Sequence, residues 1–238
     1  MTSLSVFGVQ DGWVFANPCV NNPTWYISVL VLCYVIFFAL TYTAKRLQIS
    51  PYYFYLGMIL LGCGINTYGI NLPFLNLSSC RGYYAFFSGI ILARCLDTHK
   101  PSKKIYIFCA FTICFLTYCI VCRPEWIGNN INYLLVFCYY PALVVLFMSP
   151  IMCKCTSKKF FGVMGEITYD VYLWHNPNFL LMYILLNKLK LNVNLLTVKA
   201  MIVYTIINFA IGAVSHYVLE LPLTHYLEKR IAIRTVES

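Results

Sequence analysis

One apolar run in the last third of the sequence carries polar side chains at its centre. Residues 167–186 include one acid, one His and one Pro, and neither Lys nor Arg. On a helix that turns about 100° per residue, Thr168, Tyr172, His175 and Asn176 fall within roughly one quadrant. An imidazole can gain or lose a proton near neutral pH. His175 is therefore the first candidate for proton-transfer chemistry.

Pro177 follows closely on this polar face. Its nitrogen cannot donate a hydrogen bond to the carbonyl of Leu173, so the helix is predicted to bend there. A titratable side chain inside a lipid-spanning helix is costly and must face protein or water. Two interpretations of His175 stay open: a His buried between helices and hydrogen-bonded to a neighbour, or a functional group.

The composition indicates which class of protein positions this face. The chain has 238 residues, of which 61% are hydrophobic and 11% charged, and its mean hydropathy is +0.72. A soluble domain of this size could not bury so much apolar surface, so lipid must serve as part of its solvent. The formal charge of +9 would suggest nucleic acid in a soluble chain, but here the basic residues lie between apolar runs and favour a topology signal over nucleic-acid binding.

Seven apolar runs follow one another along the chain, each long enough to cross a bilayer with some tilt. They predict an all-α fold, a polytopic transmembrane helix bundle of about seven spans. The runs cover roughly residues 24–44, 52–70, 82–98, 105–122, 131–150, 167–187 and 197–219.

The distribution of Lys and Arg predicts the orientation. If residue 1 is outside, 12 of the 17 basic residues fall on the inner side, which favours the N-terminus out and the C-terminus in. The predicted organisation is an outer segment at 1–23, a transmembrane domain at 24–220 and a cytoplasmic tail at 221–238.

The 12 cysteines do not form a recognisable metal-binding pattern. Most lie within or at the ends of apolar runs, where Cys acts as a small hydrophobic residue. Cys153 and Cys155 form a C-x-C without a second cluster, which is a weak metal signal. No metal site and no bound cofactor are predicted.

The segment at 165–175, GEITYDVYLWH, resembles the G-x-[IL]-S-Y-x-[IL]-Y-L-x-H signature of the acyltransferase 3 family. These are integral-membrane O-acyltransferases that decorate bacterial glycans. Two further segments agree in order: NPTWYIS at 22–28 is similar to the family's entry into a mid-protein span, and SHYVLELP at 215–222 resembles the Ser and Glu-x-Pro ending of its last span. A softer match is FFSGIILAR at 86–94.

The resemblance implies a reaction and a location. An acyl-CoA, as co-substrate, supplies an acetyl group to a sugar hydroxyl of a surface polysaccharide, at the bacterial cytoplasmic membrane. A sugar hydroxyl is a poor nucleophile, so a His acting as general base is expected, and an Arg can stabilise developing negative charge. The expected partners are the lipid bilayer, acyl-CoA and the glycan acceptor.

The family core has about ten spans, and its first span carries an Arg and a His that are taken as essential. This sequence has no such pair near its start. It is therefore expected to be the C-terminal seven spans of a larger enzyme, with the upstream spans as a further partner.

By this resemblance His175 is the candidate catalytic residue, either as a substitute base or as a second polar contact. Each of three other candidates has a structural alternative. Glu220 could belong to a helix stop with Pro222, and Arg94 could be a topology signal. Trp25 could be an aromatic anchor at the membrane interface. The residues predicted to bind substrate are Tyr172, Trp174, Asn176, Glu220, Arg94, Trp25 and Ser28.

Two other functions stay open. The chain could be a non-catalytic remnant that persists as a membrane scaffold or subunit. It could also be a small-molecule transporter, for which a polar helix broken by Pro is equally natural. Against a transporter, the seven runs show no paired repeat.

Overall fold

The computed structural model describes residues 24–190, 195 and 197–236. Within these ranges the regular elements are helical, and the β-type pairing is limited to an isolated antiparallel bridge between Leu72 and Leu75. The prediction of an all-α fold is confirmed for this part of the chain. The predicted outer segment 1–23, which includes the first residues of the Trp25 motif, lies outside the described residues.

The described helices are numbered here in chain order. They are α1 Thr24–Leu47, α2 Tyr52–Tyr68, α3 Leu77–Thr98, α4 Lys103–Cys122, α5 Ile131–Leu134, α6 Tyr140–Phe147, α7 Pro150–Thr156, α8 Lys159–Lys188, α9 Val198–Ser215 and α10 Leu221–Val236. Two 3₁₀ turns, Pro124–Trp126 and Gly128–Asn130, precede α5. A π-helical turn at Leu135–Tyr139 joins α5 to α6, and another at His216–Glu220 joins α9 to α10.

The seven predicted apolar runs lie mostly on these helices and the π turns, and the run at 131–150 is divided among α5, a π turn, α6 and the start of α7. Three described stretches are long and apolar enough to cross a membrane: Trp25–Leu47, Lys103–Cys122 and Val198–Lys229. A fourth candidate is the pair Ile131–Phe147 and Pro150–Thr156, which is bent by 75°. These stretches support a membrane protein with a helical bundle. The count of seven spans and the orientation stay predictions.

The remaining helices differ from the three long apolar stretches for visible reasons. Helix α2 has 17 residues, and at about 1.5 Å per residue it reaches about 25 Å, short of the roughly 30 Å of a hydrocarbon core. Helices α3 and α8 carry charged residues along their length. Helix α8 also begins at Lys159, eight residues before its predicted apolar run at 167.

The chain divides into two compact units, residues 1–156 and 157–238. The first unit contains α1 to α7, and the second contains α8 to α10. Each unit is described by itself below.

The core of the first unit forms where α1, α2 and α3 pack together. Its buried residues recur three and four positions apart on each helix, the spacing that places side chains on one helical face. Several are aromatic, and the ring centroids of Tyr55 and Phe87 lie 5.5 Å apart. The buried members are Val29, Leu32, Cys33, Tyr55, Ile59, Ile65, Cys80, Tyr83, Tyr84 and Phe87.

Two glycines allow α3 to approach its neighbours closely. A Cβ added at Gly62 on α2 would lie 2.9 Å from the carbonyl oxygen of Cys80 and 3.1 Å from the nitrogen of Tyr84. A Cβ at Gly82 on α3 would lie 2.2 Å from Cγ1 of Val29. Helices in lipid associate largely through such close packing, since the surrounding chains are as apolar as the side chains.

The start of α3 is fixed by a capping box. The Asn76 side chain accepts hydrogen bonds from the backbone N–H groups of Ser78 and Ser79, at 3.1 and 3.0 Å. The hydroxyl of Ser79 accepts in return from the backbone N–H of Asn76 at 2.9 Å. Both side chains are buried, so the N–H groups of Asn76, Ser78 and Ser79 are satisfied without water.

A tyrosine hydroxyl ties the later helices of the first unit to α2. Tyr133 on α5 accepts a hydrogen bond from Nδ2 of Asn66 at 2.7 Å and donates to the carbonyl of Cys63 at 3.1 Å. The eleven cysteines that the structure describes are free thiols. Cys33, Cys80 and Cys109 are buried among apolar neighbours, as expected for small hydrophobic residues.

Two of the prolines inside long helical stretches follow a π turn. Pro141 and Pro222 each come two residues after a π turn ends. The expectation that Pro222 stops the last helix is wrong, since the helix continues to Val236. A proline ring clashes with the carbonyl four residues earlier in an α-helix, and the wider π turn gives it room. Pro177 lies within the continuous helix α8, and the predicted bend there stays a prediction.

Candidate functional site

In the second unit, α8 and α9 approach closely at a glycine. A Cβ added at Gly212 would lie 2.5 Å from Cγ2 of Val171 and 3.0 Å from the Val171 backbone nitrogen. The side chains next to this contact on either helix are therefore brought within hydrogen-bonding distance. Asp170 precedes Val171 on α8, and Ser215 follows Gly212 by about one turn on α9.

Asp170 is a buried carboxylate at this contact, with 5% of its surface exposed. Its Oδ1 accepts a hydrogen bond from the hydroxyl of Ser215 at 2.7 Å. Its Oδ2 lies 3.3 Å from Nδ1 of His216. That distance is within ion-pair range, but the geometry is not that of a hydrogen bond, and Oδ2 has no hydrogen-bond partner. A buried carboxylate with one oxygen unsatisfied is costly in lipid and calls for a functional explanation.

His216 stands between two carboxylates. Its Nδ1 lies 2.7 Å from Oε2 of Glu220, one turn later on the same helical stretch, in addition to the contact with Asp170. The His216 side chain is 12% exposed, whereas that of Glu220 is 44% exposed. The group of Asp170, Ser215, His216 and Glu220, here named the acid–imidazole cluster, is therefore closed on the Asp170 side and open on the Glu220 side. A carboxylate that holds one imidazole nitrogen fixes which nitrogen carries the proton.

A second set of polar contacts lies farther along the same two helices. Nδ2 of Asn178 donates to Oδ1 of Asn208 at 2.9 Å, and Nδ2 of Asn208 donates to the carbonyl of Tyr204 at 2.9 Å. The hydroxyl of Tyr204 donates to the backbone carbonyl of His175. Both asparagines are buried. Amide pairs of this kind join helices in lipid through groups that have no water partner.

Five predicted site residues lie in the second unit. His175 and Tyr172 are neighbours, with ring centroids 5.5 Å apart, and Nδ1 of His175 lies 2.5 Å from the Tyr172 carbonyl oxygen. Trp174 is exposed and Asn176 is half-buried on α8. In the described part of the chain Glu220 pairs with His216, whereas the ring of His175 contacts the Tyr172 carbonyl. The structure thus places Glu220 with a different histidine from the one the sequence favoured.

Three predicted site residues lie in the first unit. Trp25 lines a pocket of about 470 Å³ together with Arg81 and Asn132. Ser28 is buried in α1, and Arg94 is exposed on α3. Ser28 and Arg94 do not line this pocket. The structure brings only Trp25, of these three, to a concave surface in the first unit.

The sequence of this chain matches the family model described as an acyltransferase domain (Acyl_transf_3) over residues 3–217. The match covers most of the chain and includes α8, α9 and the first residues of the π turn. The chain belongs to this family. No match was found among curated proteins or among solved structures.

Membership in the acyltransferase family supports a membrane protein that transfers acyl groups. The two motifs that resemble the family most, at 165–175 and 215–222, lie on α8 and on the stretch from α9 to α10. They meet in the acid–imidazole cluster, because Asp170 belongs to the first motif and Ser215, His216 and Glu220 belong to the second. Glu220 and Pro222 lie beyond the matched residues.

Sequence reasoning missed Asp170, Ser215 and His216 as site residues of this acyltransferase domain. A signal was present, since Asp170 is the single acid of its apolar run and His216 lies inside the last one. An ionisable residue within a membrane segment marks a functional site by default. Asp170, His216 and Glu220 also offer atoms of metal-ligand type within 4.8 Å of one another.

Proposed function

We propose that this chain transfers an acetyl or related acyl group from acyl-CoA to a sugar hydroxyl of a cell-surface polysaccharide. The observation that carries the proposal is the family match over residues 3–217. Three apolar helices of membrane-crossing length support action at a bilayer, for which we propose the bacterial cytoplasmic membrane. The acyl-CoA donor and the sugar acceptor extend the family's general activity.

The chemistry of O-acylation requires groups that this chain can supply. The acceptor hydroxyl must lose a proton as it attacks the thioester carbonyl, so a base is needed within hydrogen-bond reach. In the second unit the imidazole of His216 is mostly buried and that of His175 is partly buried. A positive charge can hold the phosphates of CoA, and we propose Arg94 on α3 for this role because its side chain is exposed.

The proposed topology has seven spans, with the N-terminus outside and the C-terminus inside. Lys100, in the loop before α4, and Lys103 and Lys104, at the start of α4, then face the cytoplasm, where acyl-CoA is made. The same arrangement places Arg94 near that face. Tyr172, Trp174, Asn176, Trp25 and Ser28 stay proposed substrate contacts.

The test measures transfer of a radiolabelled acetyl group from acetyl-CoA to polysaccharide, in membranes of cells that express the chain. The chain is expressed alone and together with the upstream spans of a family member, since such spans are a proposed partner. Label in the polysaccharide, lost on mild alkaline ester hydrolysis, supports the proposal. Expression of the chain in membranes without label in either arm contradicts it and favours a non-catalytic scaffold.

A variant pair tests the donor. Arg94→Gln removes the proposed phosphate contact, and Arg123→Gln is the matched control, because Arg123 is exposed and paired with Glu125 at 3.6 Å. We expect Arg94→Gln to raise the KM for acetyl-CoA several-fold with little change in kcat, and Arg123→Gln to leave both unchanged. Equal KM values in the two variants would remove Arg94 from the donor site.

A further inference from the structure

Within the proposed acyl transfer, on which this inference rests, we propose that His216 is the general base. Asp170 and Glu220 are its positioning residues. All three belong to the acid–imidazole cluster, whereas His175, the candidate predicted from the sequence, lies outside it.

The geometry at His216 fixes its tautomer. Nδ1 faces two carboxylate oxygens, at 2.7 Å from Glu220 and 3.3 Å from Asp170. An ionised carboxylate only accepts hydrogen bonds, so Nδ1 must carry the proton. In a neutral imidazole the lone pair is then on Nε2, on the other side of the ring. Nε2 is therefore the atom that can take a proton from a substrate.

The surroundings strengthen this arrangement. The hydroxyl of Ser215 donates to Asp170 at 2.7 Å and holds its carboxylate in place. Because both residues are buried, water cannot replace this hydroxyl. When His216 takes a proton, the imidazolium faces two carboxylates that stabilise it, as in a carboxylate–histidine pair of a hydrolase. The Oδ2 of Asp170, which has no hydrogen-bond partner, becomes an ion-pair partner in that state. The group facing His216 from α8 is Asp170, and the groups on its own helical stretch are Ser215, Tyr217 and Glu220.

His175 lacks this arrangement. Its Nδ1 contacts the backbone carbonyl of Tyr172, which can orient the ring but carries no full charge to stabilise an imidazolium. The carbonyl of His175 accepts from Tyr204, which fixes the backbone. His175 is therefore better suited to hold the α8–α9 contact than to accept a proton during the reaction.

His216 carries the proton between the two substrates. The acceptor hydroxyl oxygen attacks the thioester carbonyl carbon, and its proton moves to Nε2 of His216. The carbon–sulfur bond then breaks, and the CoA thiolate takes the proton back from Nε2. The products are the O-acyl ester and CoA thiol, and His216 returns to its starting form.

The cluster also indicates where the acceptor is met. Asp170 lies near the start of its apolar run and Glu220 lies at the end of the last one. In the proposed topology both ends are on the cytoplasmic side, where acyl-CoA is available. The hydroxyl that His216 activates is then a sugar hydroxyl of a polysaccharide precursor presented from that side.

The first experiment compares His216→Gln with His225→Gln. His225 is a matched control, because its Nδ1 lies 3.6 Å from Glu228 on the following turn but its side chain is 73% exposed. Transfer from labelled acetyl-CoA is measured in inside-out vesicles from polysaccharide-producing cells. We expect His216→Gln to lower kcat on the order of 10²- to 10⁴-fold and to abolish the acid limb of the pH–rate profile. We expect His225→Gln to match the wild type.

The positioning residues are tested by Asp170→Asn, Glu220→Gln and the double variant. Each single change leaves one carboxylate on Nδ1, so we expect roughly a 10-fold loss in kcat for each, and about 100-fold or more for the pair. The KM for acetyl-CoA should change little. Thermal unfolding of the purified proteins is measured alongside, and it separates loss of catalysis from loss of folding.

The outcomes distinguish the two proposals. If the wild type transfers label and His216→Gln keeps more than a third of its rate, or if His175→Gln loses more than His216→Gln, the assignment of the base is wrong. If the wild type transfers no label, the proposed function fails. In either case ¹⁵N NMR of histidine-labelled protein reads the tautomer directly: the proposal requires a proton on Nδ1 of His216 in the neutral ring, and a proton on Nε2 instead would overturn it.

Discussion

The core of the first unit and the α8–α9 contact of the second unit differ in the polarity of the side chains that join their helices. The hydrophobic cluster shared by α1, α2 and α3 is made of aromatic and aliphatic residues and Cys. The polar side chains of Asn76 and Ser79, buried at the start of α3, each accept a hydrogen bond from the other's backbone N–H. The hydroxyl of Tyr83 donates to the Phe74 carbonyl at 2.6 Å. Between α8 and α9 the buried residues include a carboxylate, two amides and a serine hydroxyl. Asp170 keeps one oxygen without a hydrogen-bond partner.

The difference separates packing from chemistry. A core with satisfied polar groups gains stability from close contact and gives nothing to a substrate. A buried carboxylate beside an imidazole costs stability and is kept where protons are moved. Glycine contacts occur in both regions, at Gly62 and at Gly212, so close approach alone does not distinguish them. The polar content does.

The largest effect on stability is expected from Gly62→Ala in the first unit. The new Cβ would meet the backbone of Cys80 and Tyr84, which cannot move without separating α2 from α3. We expect a loss of about 1–3 kcal/mol in unfolding free energy, measured by denaturation in detergent. Gly64→Ala is the control, because a Cβ at Gly64 meets nothing within 4 Å, and it should be neutral or stabilising. Equal behaviour of the two variants would break the view that packing holds this unit.

A smaller loss is expected from Asn76→Ala at the start of α3. The change removes the acceptor for the N–H groups of Ser78 and Ser79 in a buried position. We expect a cost of about 1 kcal/mol in unfolding free energy. Asn76→Asp keeps an acceptor oxygen and should recover most of it, whereas Asn71→Ala, on the exposed loop before the cap, should have no effect. A failure of Asp to rescue would mean that the side chain acts through something other than capping.

The amide pair of the second unit is expected to contribute less. A double-mutant cycle with Asn178→Leu and Asn208→Leu isolates the hydrogen bond between the two side chains at 2.9 Å. We expect a coupling free energy of about 0.6 kcal/mol, the average for such pairs in membranes. Thr205→Val, on the exposed side of α9, should show no coupling to Asn178. A coupling above about 2 kcal/mol would make this contact a main source of stability and would weaken the contrast with the first unit.

The smallest effect on stability is expected from Ser215→Ala. The change removes the hydrogen bond to Oδ1 of Asp170, and about 0.5 kcal/mol of unfolding free energy should be lost. Acyl transfer should fall several-fold, because the carboxylate that positions His216 is held less firmly. Ser88→Ala is the control in the first unit, where the hydroxyl bonds only the Ala85 carbonyl of its own helix. A stability loss without a change in transfer would assign Ser215 to packing.

The sequence predicts the helices well because apolar length and periodicity are local properties. The seven apolar runs lie mostly on helices, and the short motifs at 165–175 and 215–222 already resemble the family that matches the chain. The end of the last helix was predicted wrongly, because a rule about Pro222 in an α-helix does not apply after a π turn. That turn depends on which neighbours the backbone meets, and this is not written in the local sequence.

The candidate site could be predicted only in part, for a related reason. Helical spacing shows which residues share a face, as with Tyr172 and His175, and their rings are indeed neighbours. It does not show which faces of two helices meet. Asp170 and Ser215 are 45 positions apart in the sequence, and their contact depends on the approach at Gly212. Asp170 was visible as an isolated acid, but its partner was not.

The two π turns set the angular phase of the helices that follow them. A π turn holds about one residue more than an α turn, so every side chain after Tyr139 or Glu220 is rotated by about 100° relative to an uninterrupted α-helix. Each turn behaves as an inserted residue that the helix has absorbed without a break. Deletion of one residue from His216–Glu220 would therefore leave the helix intact but turn the face of α10 to a different side.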